Sequence, residues 1–248
     1  MNMANEVFFP QSVSVNELSI ILTNGEEINI RRLLVDLSYF EDLYGFSVSG
    51  YMHLRDARGI IEILNLSGQE KIKIQFDLSE SQIRKTQYFR LYTIPSRKPI
   101  GPMNSEFIKL YFCSEELFLS EQTKITKSYS TEISRIINEI LIQNLKVDQS
   151  KKSIDIDSTY GTYNFNIPTL KPFETISWLS MYGLPKEVAY VNSDSEGGSR
   201  GADMLFYENV DGFKFKSLRS LYNQPTYKTY IYQQQNISNE NFENKQTT

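Results

Sequence analysis

The chain has 248 residues, with 26 Lys and Arg against 30 Asp and Glu, which gives a formal net charge of −4. This acidic balance argues against sequence-independent binding of nucleic acid, which needs a basic face to displace counterions. Its one cysteine and one histidine exclude an internal disulfide, a CxxC zinc site and any two-histidine metal centre. No apolar stretch approaches the roughly 20 residues that span a bilayer, and the first residues do not resemble a secretory signal. We therefore expect folding in a cytoplasm without membrane insertion.

Apolar and polar residues alternate with period two along much of the chain, which predicts half-buried antiparallel strands. The apolar sets that share a face are Leu33, Val35, Leu37 and Tyr39; Val48, Gly50, Met52 and Leu54; Ile72, Ile74 and Phe76; Ile108, Leu110 and Phe112; Tyr163, Phe165 and Ile167; and Phe213 and Phe215, opposite Lys214 and Lys216. The 16 Tyr and 15 Phe suit strands.

Two turn signals lie between such strands. Asn24-Gly25 separates residues 18–23 from 26–30, and Asp211-Gly212 separates 205–210 from 213–217. Pairs of this kind suit a type I′ turn, in which both central residues have positive φ. The sequence therefore predicts a β-hairpin at each pair.

Helices are predicted at four places. The firmest is 131–145, where Ile133, Ile136, Ile137, Ile140 and Leu141 form an apolar stripe of helical spacing. A second is 172–182, with Pro172 at the first helical position and Gly183 suited to the position after its end. Short helices are expected at 58–64 and 115–121.

Together these patterns predict a mainly β fold with some α-helix. We expect an N-terminal extension over 1–14, a strand-rich domain over 15–129, a mixed α+β domain over 130–232 and a polar, disordered tail over 233–248. The Gly-rich segment 192–201 is predicted to be a mobile loop. The aromatic segment 227–232 is a candidate interface strand, because aromatic residues are enriched in interface cores.

His53 is the first candidate for catalysis. A catalytic histidine needs a positioned nucleophile and an orienting carboxylate, and the sequence around His53 supplies no motif for either. It is interpreted as a surface or interface histidine on a strand, where Tyr51 and Arg55 share its face.

Paired carboxylates are the second candidate, because glycosidases use two of them. Asp155 and Asp157 share one face of a predicted strand, whereas Glu115 and Glu116 are adjacent and would diverge. Both pairs are interpreted as solvated charged faces. Asp155 and Glu174 are the residues with which a hydrolase function would be tested.

The segment 192–203 partly imitates a calcium-binding loop. It has oxygen ligands at loop positions 1, 3, 5 and 12, with Gly197 at position 6; these ligands are Asn192, Asp194, Glu196 and Asp203. Position 1 is Asn and no flanking helices are predicted, so a flexible loop is the preferred interpretation. The glycines Gly197, Gly198 and Gly201 do not form a dinucleotide-binding fingerprint.

The remaining candidates are also assigned structural roles. The basic pairs are scattered and suit solvated loops and local ion pairs; they are Arg31-Arg32, Arg84-Lys85, Arg97-Lys98 and Lys151-Lys152. Cys113 lies on a predicted strand and is expected to be packed rather than reactive. No catalytic, cofactor-binding or metal-binding residue is predicted.

Several segments together resemble the baseplate hub proteins of contractile-tailed (T4-like) bacteriophages. Residues 34–76 resemble the first barrel of that family through Glu41-Asp42, Gly50, Asp56 and Gly68-Gln69-Glu70. Residues 111–130 are similar to its link into a second barrel. The C-terminal segments 167–183 and 203–222 carry the most specific pieces: Pro172-Phe173, Trp178-Leu179, Phe206-Tyr207-Glu208, Asp211-Gly212-Phe213 and Ser217-Leu218.

The resemblance implies two tail-tube-like β-barrels, each with packed helices, in a homotrimer. Three chains with two barrels each would form a pseudo-sixfold ring that adapts a sixfold tail tube to a threefold central spike. It implies tube, spike and baseplate wedge proteins as partners, and DNA that passes the lumen without specific binding. It also implies a place in the virion tail after assembly in the host cytoplasm, with no catalytic residues and no cofactor.

Other functions stay open from the residues alone. One is a tail-tube, tube-terminator or wedge protein, which copy number per particle would distinguish from a hub. Another, from a different class, is a tail-associated cell-wall hydrolase or carbohydrate-binding module.

Overall fold

The structure is a computed structural model that describes residues 13–57, 59–64, 66, 68–78, 83–100, 105–150, 152–186 and 203–226. The predicted calcium-like loop up to Gly201, the aromatic strand 227–232 and the polar tail 233–248 lie outside these residues. Strands predominate over helices, so the predicted mainly β fold class is confirmed.

Twelve strands and five α-helices occur in the described part of the chain. The strands are β1 (Val13–Ile21), β2 (Glu27–Asn29), β3 (Leu34–Phe40), β4 (Ser49–Asp56), β5 (Lys71–Leu78), β6 (Ile83–Ile100), β7 (Ser105–Ser114), β8 (Ser128–Thr131), β9 (Ser153–Ile156), β10 (Tyr163–Asn166), β11 (Met204–Asn209) and β12 (Gly212–Ser217). The helices are α1 (Ile60–Ile63), α2 (Glu115–Gln122), α3 (Ile133–Glu139), α4 (Pro172–Ser180) and α5 (Leu218–Tyr222).

The first seven strands form one antiparallel sheet in the order β2-β1-β5-β6-β7-β4-β3. Its edge strands β2 and β3 are consecutive in the chain, joined through a 3₁₀ turn at Arg31–Leu33. A flat sheet of seven strands would be about 29 Å wide, whereas this connection can span only about 18 Å. The sheet must therefore curl until its edges approach each other at that end. Full closure into a barrel stays a prediction.

The first core fills the inside of the curled sheet. The sets predicted to face inward on β4, β5 and β7 are buried, including Met52, Leu54, Ile74 and Phe112, so these predictions are confirmed. The predicted inward-facing set on β3 is wrong for Val35, whose side chain is 57% exposed. A β-bulge between Leu34 and Asp36 shifts the register there, and an extra residue in one strand turns its side chain away from the alternating pattern.

Both predicted hairpins form, but neither has a type I′ turn. In the first, the Gly25 N–H donates to the Leu22 carbonyl over 2.9 Å, and only Gly25 has positive φ (+86°). In the second, Asn209 pairs with Gly212, so the loop is Val210-Asp211, one residue earlier than predicted. A turn with one left-handed residue needs glycine at that position only. The glycine of an Asn-Gly or Asp-Gly pair therefore fits several turn types and does not specify type I′.

The second core is mixed. Strand β9 runs parallel to β12, and β12 pairs with β11 in a three-stranded sheet, while β8 and β10 form a separate ribbon. The predicted isoleucine stripe is fully buried here, so that helix is confirmed. It begins at Ile133 and ends in a π-helical turn, Ile140–Asn144, followed by Lys146 with φ of 53°.

The other predicted helices also form. Helix α4 starts at Pro172 as expected and ends at Ser180, where the Gly183 N–H donates to the Ser180 carbonyl. Gly183 does not have positive φ, so its expected left-handed conformation after the helix is wrong. None of the helices in the described ranges is both long and apolar enough to cross a membrane.

Candidate functional site

Three charged residues are buried where the two cores meet. Glu116 lies on α2, Glu208 on β11, and Lys152 immediately precedes β9. The Lys152 ammonium donates to Glu116 Oε2 over 2.5 Å and to Glu208 Oε1 over 2.6 Å. The three side chains, here called the junction triad, are between 1% and 6% exposed.

Glu208 connects the triad to the first sheet. Its Oε2 accepts the Val48 N–H over 2.8 Å and the Ser114 hydroxyl over 2.5 Å. Along β11 the side chains alternate between buried and half-buried, and Met204, Phe206 and Glu208 share the buried face. The carboxylate is thus carried inward by the strand pattern and must find hydrogen-bond donors, since an unpaired buried charge is very costly.

The triad has one negative charge more than its ammonium balances when both carboxyls are ionised. Burial raises the pKa of Glu208, with Glu116 adding to the rise and Lys152 opposing it. Burial alone would lower the pKa of Lys152, but the neighbouring carboxylates outweigh this effect and raise it. Glu116 Oε1 is buried without a hydrogen-bond partner among the described residues. Lys152 therefore stays charged, and its positive charge stabilises the buried carboxylates of Glu116 and Glu208.

Contacts around the triad extend the junction. Glu41 Oε1 accepts the Val210 N–H over 2.5 Å, and Lys85 pairs with Asp211 over 2.8 Å. The Phe46 ring stacks on Phe173, with 5.9 Å between centroids. Polar and aromatic contacts from strands and turns thus hold the curled sheet against the second core.

Cys113 lies beside this junction and is 3% exposed. Burial, with a further contribution from Glu208, raises the pKa of its thiol to about 12. Because only the thiolate reacts, we expect no labelling of native protein by a maleimide at neutral pH and one label per chain in denaturant, measured by mass spectrometry. An Ile63→Cys variant, exposed in the native state, should take up one label natively; native labelling of the wild type would contradict the prediction.

His53 has an acidic partner but no catalytic surroundings. Its Nδ1 lies 3.3 Å from Asp36 Oδ2, and its ring stacks on Phe107 with 5.2 Å between centroids. Tyr51, predicted on its face, packs edge-on against it. The side chain lies on β4 and is 23% exposed, in line with its interpretation as a histidine on a strand at the surface.

The carboxylates considered for glycoside hydrolysis are engaged in structural contacts. Asp155 pairs with Lys214 over 3.2 Å and Lys216 over 2.6 Å. Burial would raise the pKa of Asp155, but the two lysines outweigh it and lower the pKa, the opposite of what a general acid needs. Asp157 also pairs with Lys216, and Glu174 accepts the Lys171 N–H at the start of α4.

Glu115 and Glu116 diverge as predicted, but only one lies in solvent contact. Glu115 pairs with Lys71 and Arg90 at the surface. The interpretation of Glu116 as part of a solvated face is wrong, because α2 turns it into the junction. Lys152 was predicted to lie in a solvated loop or a local ion pair; it does form ion pairs, but its side chain is buried with both carboxylates rather than solvated.

One signal could have revealed the junction. Glu208 follows Met204 and Phe206 on the same face of an alternating strand, at a position where an apolar residue is expected. A charged residue at such a position requires a buried partner. Glu116 and Lys152 gave no comparable signal, since their burial depends on how distant elements pack. Within the described part of the chain, no three histidine, cysteine or acidic residues are grouped to hold a metal ion.

Comparison with known proteins identifies a relative. No family profile matches the chain. Over 196 residues, 78% of this chain, it is 26% identical to a probable baseplate hub protein, gp334, of Vibrio phage KVP40. The predicted resemblance to phage baseplate hub proteins is confirmed. The matched region covers 43% of that hub protein, so this chain spans less than half of its length.

Two solved structures align with most of this chain. A 43 kDa tail protein of prophage MuSo2 from Shewanella oneidensis aligns over 81% of this chain and 54% of its own, with 9% identity and a TM-score of 0.47. The E. coli c3393 protein, a type VI secretion component described as similar to phage T4 gp27 and gp5, aligns over 82% and 46%, with 9% identity and a TM-score of 0.47.

Proposed function

We propose that this chain is a structural subunit of a phage baseplate hub. The observation that carries the proposal is the 26% identity to a probable baseplate hub protein across 78% of the chain. The mainly β fold and the firmly packed junction between its two cores suit a mechanical part. The role is non-enzymatic, and the structural engagement of Asp155 and Glu174 favours it over a cell-wall hydrolase.

The finer part of the proposal is a homotrimer in the virion tail. Residues 15–129 and 130–232 would each supply one barrel, so three chains would present six barrels around a DNA channel. Such a ring would contact the sixfold tail tube on one side and the threefold spike on the other, with wedge proteins around it. The curling of the first sheet supports this arrangement, since closure removes free strand edges.

Electron cryomicroscopy of purified tails that contain this chain tests the proposal. We expect three copies around the central channel at the junction of tube and spike. Six copies per layer along the tail would identify a tube protein instead. Copies at the baseplate periphery would identify a wedge protein, and absence from the tail would reject a structural role altogether.

A further inference from the structure

Two exposed apolar faces lie on different parts of the molecule. The first, here called the β3 face, is the edge strand β3 with the turn after it. Its exposed apolar side chains are Val35, Phe40, Leu43, Tyr44 and Phe46. The second, here called the α4 face, follows the last turn of α4 and includes Tyr160, Met181 and Tyr182. The two most exposed members are Tyr44 at 76% and Met181 at 63%.

Contacts with neighbouring residues hold the side chains of each face in place. On the β3 face the Phe40 ring packs on Tyr51 with 5.8 Å between centroids, and Phe46 stacks on Phe173. On the α4 face the Tyr160 N–H donates to the Leu184 carbonyl over 2.7 Å, which holds it beside the segment that follows α4. Contiguous exposed aromatic and methionine side chains of this kind are characteristic of protein interaction sites.

The charges on the two faces are opposite. Asp42 is exposed on the β3 face and accepts only the Tyr44 N–H, over 2.9 Å, with no cation beside it in the described structure. Lys186 is exposed next to the α4 face, and no acidic side chain pairs with it within the described ranges. The two faces are thus complementary to each other, whereas two β3 faces would bring like charges together.

The faces are also separated in space. Phe173, which Phe46 contacts, is in the first turn of α4, and Met181 directly follows the last. The nine residues of α4 span about 13 Å. A head-to-tail contact between identical subunits requires two different, complementary faces at separate places. Such contacts form a ring when the rotation between successive copies closes.

We propose that the β3 face of one copy docks on the α4 face of the next copy. The occupant of each face is therefore a second copy of this chain. This inference rests on the proposed oligomeric hub, and it names the surfaces by which the ring forms.

Two variants test the contact in the full chain. Tyr44→Lys would oppose Lys186, and Met181→Glu would oppose Asp42; both replace highly exposed side chains, so the fold is retained. By sedimentation, we expect each variant to self-associate at least about tenfold more weakly than the wild type, the result of losing about 1.4 kcal/mol. Ile63→Lys, at an equally exposed site outside both faces, should associate as the wild type does.

Mixing the variants separates a head-to-tail contact from the alternatives. A mixture of Tyr44→Lys and Met181→Glu proteins retains one intact pair of faces and brings the new lysine opposite the new glutamate at the other, so we expect it to associate although each variant alone does not. Where the wild type assembles in solution, a mixture that stays monomeric, or either single variant that assembles normally, overturns the proposal. In neither case is the hub function contradicted, because three copies in the tail would still support it.

If copies of this chain assemble only with other tail proteins, the contact between the two faces is tested in purified tails. A Tyr44→Cys/Met181→Cys chain, in which Cys113 stays buried, is treated with a short bis-maleimide. We expect covalent dimers and trimers, and only dimers from a mixture of the two single-cysteine chains. Absence of cross-linked chains in tails that contain the protein overturns the proposed contact, whereas absence of the protein from tails contradicts the hub function.

Discussion

The Lys152→Met variant should lose about 3–5 kcal/mol of unfolding free energy at neutral pH, which is the usual cost of removing one partner from a buried ion pair. Glu116 and Glu208 would remain buried with no cation between them. Methionine fills similar space without a charge, so the loss reflects electrostatics rather than a cavity. Urea unfolding of the full chain measures it.

The deficit should shrink as the pH falls. Burial already raises the pKa of Glu208, and removing the ammonium raises it further. A carboxyl whose folded-state pKa exceeds its unfolded value favours the folded state below the unfolded pKa and loses this contribution as the pH rises through the folded pKa. The variant should therefore be closest to the wild type in acid and furthest from it above neutrality.

Two controls accompany this prediction. Lys124→Met removes an exposed lysine that forms no ion pair with any residue the structure describes, and it should change stability by less than about 0.5 kcal/mol. Adding Glu116→Gln and Glu208→Gln to Lys152→Met makes the cluster neutral and should recover part of the loss. A Lys152→Met deficit that is independent of pH would show that the triad carries no electrostatic stabilisation.

Gly50→Ala should destabilise the first sheet by about 1–3 kcal/mol, the range for overpacked cores. A Cβ at Gly50 would lie 2.3 Å from the Ser38 carbonyl oxygen and 2.4 Å from Phe112 Cζ. Both contacts are far inside van der Waals distance, and one is with the backbone of a neighbouring strand. Thermal unfolding of the variant, with Ser49→Ala as a half-buried control on the same strand, measures the effect.

A double variant distinguishes the two clashes. Phe112→Leu would relieve the contact with the ring but not the contact with the Ser38 carbonyl. We therefore expect Phe112→Leu to leave most of the Gly50→Ala loss in place. Full recovery would show that the ring alone, and not the close approach of β3 and β4, requires glycine here.

Local patterns predicted most of the strands and helices. The buried faces of β4, β5 and β7 and the isoleucine stripe of α3 are visible as periodicity, because neighbours along the chain share an environment. The structure differs from these predictions where a single residue changes the backbone geometry. The β-bulge at Leu34/Asp36 exposed Val35, and the first hairpin needed glycine at only one position. Such details depend on the partner strand and are not encoded in periodicity.

The junction was not predictable in the same way. Glu208 was noted in the sequence only as part of a resemblance. Glu116 was expected on a solvated face, and Lys152 in a solvated loop or a local ion pair. Lys152 and Glu208 are 56 residues apart, and Glu208 and Val48 are 160 apart. No window of the sequence contains these partners together.

The amino-acid sequence by itself determined which segments become strands and helices, which faces of them are apolar, and to which kind of protein the chain is related. The tertiary structure alone decided that β2 and β3 approach each other and that three charged side chains leave solvent. The reason is physical: apolar periodicity acts between neighbouring residues, whereas burying a charge is tolerable only where folding brings its counter-charge and donors to it from distant parts of the chain.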